Sequence, residues 1–326
     1  MSHPINALSK TLKSSLKRVN KEIKDNIKDE EKLITTTAGH LLNSDGKKIR
    51  PLLTLIISRM LKYRGSADVT LAVCIEFIHN ATLLHDDVID TGKIRRGKKS
   101  ANEIWGNKVS VLVGDYLLSK AFKLMVKNKS LKLLEILSQT SLVLARGQIQ
   151  DVGNTQNIKL SEKKYLAIIN AKTAELFRVS CFLPTIITHQ NKEIQKIFND
   201  FGYYFGMSFQ LSDDILDYFG HSNKMGKSIG KDFYEGKVTY PVIRCFRDSD
   251  QKSKVIIAKL FLKKKRNKKD LAVILKLMEK TDSYQKSIDF LLKYNEKAKS
   301  SINKFEDNRY KVYLTSLVDN LAIREK

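Results

Sequence analysis

The chain has 326 residues, 42% of them hydrophobic, with only 4 prolines and 15 glycines; this suits a globular protein built of long helices and excludes a fibrous or disordered one. Its 59 lysines and arginines against 35 acidic residues give a formal net charge of +24. That charge admits nucleic acid, an anionic membrane or an anionic small substrate as partner, while a chain rich in Lys, Ile and Asn, as an AT-biased genome encodes, explains it equally well as surface lysine. Cys74, Cys181 and Cys245 lie far apart among apolar neighbours, so a disulfide framework and a zinc site are both excluded and reduced core thiols are expected. No apolar run reaches the length that spans a bilayer, and the lysine-bearing start has no apolar leader core. These features predict a cytoplasmic protein, with contact at the inner membrane face as the finer alternative.

Taken in order, residues 5–27 set Ile5, Leu8, Leu12, Leu16, Val19, Ile23 and Ile27 at steps of three and four, one apolar stripe on a lysine-rich helix. Residues 1–28 are therefore read as an amphipathic helix that packs on the domain or on a second subunit, and 29–326 as the main domain. A helix over 31–43 ends at the polar turn Asn43-Ser-Asp-Gly46. Gly46-Lys47-Lys48-Ile49-Arg50-Pro51 follows, and Pro51 suits the first turn of a helix. Lys47 and Arg50 would then join the helix dipole in an anion site, or else form a solvated basic turn. Helices are expected over 52–64, 67–90, 107–127, 130–152, 161–181 and 191–218. A loop rich in glycine and lysine covers 220–236, Pro241 opens another helix, and 251–322 is helical with breaks near Lys265–Lys269 and Lys280–Ser283. The run Lys263–Lys269, without aromatics, reads as a solvated loop or helix end. No alternation suggests a strand. The fold class is all-α: a single-domain bundle of ten or more helices around a central apolar cavity.

Two acidic triads stand out. Asp86-Asp87-x-x-Asp90 closes the apolar run that begins at Val69, and Asp213-Asp214-x-x-Asp217 closes a second one from Phe198 to Leu211. On a helix, each triad places carboxylates on neighbouring rows, where they repel one another and would be costly to bury unpaired. One such triad is most simply an acidic helix end facing solvent. Two of them, each ending an apolar helix, point to Mg2+ held between facing helices, because this ion prefers one or two carboxylates and completes its shell with water and phosphate oxygens. Arg95 and Arg96 follow the first triad, and guanidinium forks grip phosphate. His79, Lys172, Gln210, Lys227 and Lys237 add further polar groups on or beside apolar segments. The set suits two polyanions, one held through metal and one through basic side chains. No Ser-His-Asp pattern and no base for hydrolysis is visible. A metal-clamped diphosphate can instead be a leaving group, and the cation left behind needs a dry pocket, for which the faces around Ala81, Leu84, Phe205 and Phe209 are available.

Several stretches carry a family likeness: GKKIRP at 46–51, EFIHNATLLHDDVIDTGKIRRGK at 76–98 and VSVLVGDYLLSKAF at 109–122. Others are KTAELF at 172–177, FQLSDDILDY at 209–218 and GKSIGKDFYEGKVTYPVI at 226–243. Over roughly 30–326 the sequence resembles the trans-isoprenyl (polyprenyl) diphosphate synthases, most of all their bacterial octaprenyl members. The resemblance implies that Asp86, Asp87, Asp90, Asp213 and Asp217, with Asp214 beside them, bind Mg2+ bridging an allylic diphosphate such as farnesyl diphosphate. By the same likeness Arg95, Lys172 and Lys227 hold that diphosphate, with Lys237 also among the substrate-binding residues. Lys47, Arg50, His79 and Arg96 hold isopentenyl diphosphate, and Thr173, Phe209 and Gln210 flank the allylic cation. It further implies a homodimer, no nucleic-acid partner, peripheral contact with anionic membrane at most, and a long product that becomes a quinone side chain.

Ala81 and Thr82, one turn before Asp86, bear on product length. Short-chain relatives carry a bulky aromatic in this region, so a small residue implies an open path for a long chain, whereas ordinary helix packing would explain alanine equally well. Ile149 or Val152, on the helix over 142–153, is expected to close the path. Arg146, Gly153 and Tyr240 depart from the family's pattern and bear on product length. Competing readings are a shorter-chain farnesyl or geranylgeranyl synthase and a non-catalytic subunit of a heteromeric synthase, which would usually lose one triad. A terpene cyclase would replace the second triad with an Asn/Ser/Glu arrangement, and a basic nucleic-acid or membrane binder would leave the triads unexplained.

Overall fold

Residues 12–28, 30–42, 47–95, 97–220 and 229–323 are described by a computed structural model, and they are helical almost throughout. The helices are α1 (Lys13–Ile27), α2 (Lys32–Leu42), α3 (Ile49–Met60), α4 (Ala67–Ile89), α5 (Ala101–Trp105), α6 (Asn107–Lys127), α7 (Leu131–Gly153), α8 (Glu162–Ile169), α9 (Glu175–Ile187), α10 (Lys192–Phe219), α11 (Lys231–Glu235), α12 (Tyr240–Asp248), α13 (Gln251–Leu262), α14 (Lys268–Lys280), α15 (Ser283–Ile302) and α16 (Arg309–Ile323). Against expectation, a strand pair is present: β1 (Ile94–Arg95) and β2 (Lys98–Lys99) pair antiparallel, with Ile94 opposite Lys99. The pair is too short for period-two alternation to be visible in sequence.

The chain divides into two compact units interleaved in sequence, one comprising Met1–Ser141, Leu176–Asn199 and Phe305–Leu314, the other Leu142–Glu175, Asp200–Lys304 and Thr315–Lys326. In the first, α4 is the core helix. Leu71, Val73, Ile75 and Phe77 are completely buried, and α4 packs against α1, α3 and α6. By length and hydropathy α4 would suffice to cross a membrane, a stretch not expected from the sequence, yet 72% of its most apolar window is buried inside the protein. Those apolar faces are already satisfied by neighbouring helices. Where α4 meets α6, the His85 ring lies over Gly114, and a Cβ there would come within 2.3 Å of His85 Nε2. The N-terminal stripe is used as expected from Leu12 onward: Val19, Ile23 and Ile27 are buried, and Glu22 accepts a 2.9 Å hydrogen bond from Thr70 of α4. Ile5 and Leu8 lie outside the described residues.

Helix α9 runs past the expected end at 181, through Pro184, to Ile187. Proline has no N–H and orphans the carbonyl four residues earlier. Here that carbonyl, on Ser180, accepts a 3.0 Å bond from the buried Thr54 hydroxyl of α3. The lost helical bond is thereby replaced, which is why the helix continues.

The second unit has an aromatic core that includes Tyr165, Tyr218, Phe233, Tyr240 and Phe261, with Tyr240 stacked on Phe290 at 4.3 Å between centroids. The basic run before α14 is a structured turn. Asn267 and Asp270 form a capping box, Lys263 pairs with Asp270, and Arg266 bonds the carbonyls of Leu260, Phe261 and Tyr234. The expected helix 161–181 is interrupted at Asn170–Ala174 by one π-helical turn, a feature frequent at functional sites.

Candidate active site

The first triad ends α4, with Asp90 at the C-cap. Asp86 and Asp90 are half-buried. Asp87 is turned inward, 2% exposed, and its oxygens accept bonds from Arg95 Nε at 2.7 and 2.8 Å, while Arg95 Nη2 lies 2.7 Å from one of them. The short strand pair places Arg95 there: Ser100 N–H closes onto Lys93 O and Ser100 Oγ onto Gly92 O. Arg96 lies outside the described residues.

In the same unit, Lys48 adopts a left-handed conformation before α3, which places Arg50 in the first turn and leaves Lys47 exposed. Arg50 stacks over Phe177 at 4.0 Å and donates to His79 Nε2 at 3.2 Å. A guanidinium can only donate, so His79 accepts there as the neutral tautomer. Ala81 is buried on α4. Thr82 donates back to His79 O at 2.7 Å, which turns its hydroxyl onto its own helix.

The second triad lies on α10. Asp213 is exposed, Asp214 buried and Asp217 half-buried. Asp214 accepts from Gln210 Nε2 at 2.7 Å and from the Tyr165 hydroxyl at 2.5 Å. Burial pushes its carboxyl up to about 7, the charges of Asp213 and Asp217 add to that, and the two hydrogen bonds oppose it. Asp217 accepts from the backbone N–H groups of Lys231 and Asp232 at the start of α11, at 3.0 and 2.9 Å. Burial raises it to about 6 against those two bonds. Asp232 is held well above the carboxylate range by burial and by Asp217 and Asp214. These groups are crowded carboxylates whose ionised forms a cation would relieve.

Lys172 and Thr173 sit on the π turn. Lys172 reaches Asp151 of α7 at 2.6 Å, and Thr173 donates to Gln210 Oε1 at 2.7 Å. Two glycines grip that turn. A Cβ on Gly147 of α7 would lie 2.7 Å from Lys172 N, and one on Gly206 of α10 would lie 2.6 Å from Ala174 Cα. Gly206→Ala is expected to cost about 1–3 kcal/mol by overpacking and to lower turnover as Thr173 shifts. A melt and a steady-state rate matching the parent would show that this approach is not needed. Lys237 pairs with Glu235 at 2.7 Å, Phe209 is half-buried, and Lys227 lies outside the described residues. Ile149 and Val152, expected to close a path, are 73% and 49% exposed.

Three of the described site cations rest on acidic partners, Arg95 on Asp87, Lys172 on Asp151 and Lys237 on Glu235, whereas Arg50 lies on Phe177 and His79. Sequence reasoning did not single out Asp151, Tyr165, Asp232, Gly147 or Gly206. Only Asp232, an acid within a lysine-rich loop, had a local signal. Among the described residues no three His, Cys, Asp or Glu side chains form a ready metal cage. The donor set is all hard oxygen, which suits an ion that keeps water and phosphate ligands.

The family model described as Polyprenyl synthetase matches residues 31–278. The chain is 37% identical to the octaprenyl diphosphate synthase of Haemophilus influenzae over 253 residues, covering 78% of this chain and 77% of that one. It is 40% identical to the octaprenyl diphosphate synthase of Escherichia coli over 225 residues, 69% and 70% of the two chains. A decaprenyl diphosphate synthase from Rhodobacter capsulatus superposes with a TM-score of 0.94 at 34% identity, over 99% of each chain. A polyprenyl synthase from Caulobacter crescentus, complexed with calcium and isoprenyl diphosphate, also reaches 0.94 at 34% identity, over 100% of this chain and 99% of that one.

Proposed function

The chain belongs to the polyprenyl synthetase family and is a trans-prenyltransferase, and from that premise we propose that it makes octaprenyl diphosphate for quinone side chains. The observation that carries this reading is the family match falling on two helix-ending acidic triads, each with cationic groups close in sequence. We assign Asp86, Asp87 and Asp90 in the first unit, and Asp213 and Asp217 in the second, to Mg2+ binding, with Asp214 beside them as the inward-turned member of its triad. Bound there, Mg2+ would neutralise charge on the leaving diphosphate. Arg95, Lys172, Lys227 and Lys237 hold the allylic diphosphate, and Lys47, Arg50, His79 and Arg96 hold isopentenyl diphosphate.

The reaction has three parts. The allylic C–O bond breaks and its electron pair leaves with diphosphate. The isopentenyl double bond attacks the cation and forms the new C–C bond. A proton is then lost from the adjacent carbon to the released diphosphate. Arg95 is set for its part before substrate arrives, since Asp87 fixes the guanidinium plane through both carboxylate oxygens. Pre-positioned donors lower the cost of meeting developing charge.

We assign the activity to residues 29–326 and an accessory role to the segment 1–28, whose described helix is α1. Exposed apolar side chains on α6, Val111 and Leu112, support a homodimer. The enzyme is placed in the cytoplasm. The small, buried Ala81 supports a long product, and Ala81→Phe is expected to shorten it while elongation continues. Chromatographic sizing decides this, and an unchanged product would remove position 81 from the growing chain's path. The reading itself is tested by incubating purified protein with farnesyl diphosphate, isopentenyl diphosphate and Mg2+. Isopentenyl consumption that chelation abolishes and Mg2+ restores is expected, and folded protein that consumes none in any condition rejects it.

A further inference from the structure

The acids and amides around the second triad form one continuous hydrogen-bond chain. Tyr165 of α8 donates to one oxygen of Asp214, and Gln210 Nε2 donates to the other. Gln210 Oε1 in turn accepts from Thr173 on the π turn. Tyr165 and Asp214 are both 3% exposed, so water cannot readily replace either bond. Both Asp214 oxygens are thus engaged as acceptors, and the Nε2 end of the Gln210 amide is the end that faces them. The opposite end, Oε1, must then face Thr173. The Thr173 hydroxyl gives its proton to Gln210 and keeps its lone pairs for whatever stands on its other side. The turn that carries it is gripped by Gly147 and Gly206, so the threonine cannot drift to a different partner.

We infer that Tyr165 is a positioning residue for the prenyl transfer, locking the Gln210 amide through Asp214 so that Thr173 presents lone pairs to the allylic cation. This rests on the functional reading above. A hydroxyl that turned its proton toward a developing cation would repel it, whereas one whose proton is committed elsewhere stabilises it. Tyr165 touches no substrate in this scheme and acts only through the chain.

The test is a double-mutant cycle between Tyr165→Phe and Gln210→Ala, with the wild type run alongside. Tyr165→Phe removes one hydroxyl and keeps the ring that packs near Tyr240. It is expected to lower kcat about tenfold, as small misplacements near reacting atoms do, with the KM of both diphosphates and the Mg2+ requirement unchanged. In the Gln210→Ala background the same substitution is expected to cost nothing more. Multiplicative losses, an unchanged kcat, or a loss confined to KM would each overturn the inference. If Tyr165→Phe does not fold, Asp214→Asn breaks the chain from its centre and is expected to show the same non-additivity with Gln210→Ala. A loss there that adds to Gln210→Ala and raises the Mg2+ requirement would assign Asp214 to the metal and overturn the inference. A wild type that elongates no primer removes the functional reading and this inference together, whereas an active wild type with an equally active Tyr165→Phe removes the inference alone.

Discussion

Asp86→Ala and Asp213→Ala are each expected to lower turnover by about two to three orders of magnitude, the scale of losing several kcal/mol of charge stabilisation on the leaving diphosphate. Neither residue is buried: Asp86 is half-exposed at the end of α4 and Asp213 is exposed on α10. Substitutions at such positions usually leave stability within a fraction of a kcal/mol. The melting temperature should therefore stay close to the parent's while the steady-state rate collapses. Near-normal turnover in either variant would contradict the assignment of the triads to metal.

Arg95→Ala should behave differently, because its partner is buried. Removing the guanidinium leaves Asp87 at 2% exposure without its three short contacts to Arg95. Uncompensated buried charge of this kind costs about 3 kcal/mol or somewhat more, although Arg95 itself is 25% exposed and solvent reaching the site will soften the loss. The expected result is a clear fall in melting temperature together with a raised KM for the allylic diphosphate. The double variant Arg95→Ala with Asp87→Ala should recover part of the stability and none of the affinity. A single variant as stable as the parent would show that the pair is not holding the α4 end in place.

Much of this was legible from residue periodicity. The long helices, the used face of α1, the breaks near 265–269 and 281–282 and the placement of both triads at helix ends followed from spacing, capping residues and the first-turn position of Pro51. What was not legible depended on partners distant in sequence. The helix through Pro184 persists only because Thr54, on another helix, takes the orphaned Ser180 carbonyl. Asp87 and Asp214 look the same as their neighbours in sequence. Each is instead the inward-turned carboxylate of its triad, engaged by Arg95 in one case and by Gln210 and Tyr165 in the other. The π turn and its two gripping glycines have no periodic signature, since a single turn of five residues, Asn170–Ala174, is too short to set a period of its own. The strand pair 94–99 is shorter than any alternation that could announce it.

Long-chain prenyl transfer is decided by the size of the product. Purified protein would be given Mg2+, labelled isopentenyl diphosphate and farnesyl diphosphate, and the extracted products separated by chain length. A ladder of intermediates ending at octaprenyl length is expected. A product that stops at farnesyl or geranylgeranyl length would contradict the long-chain assignment, and folded protein that elongates no allylic primer would contradict the prenyl transfer itself.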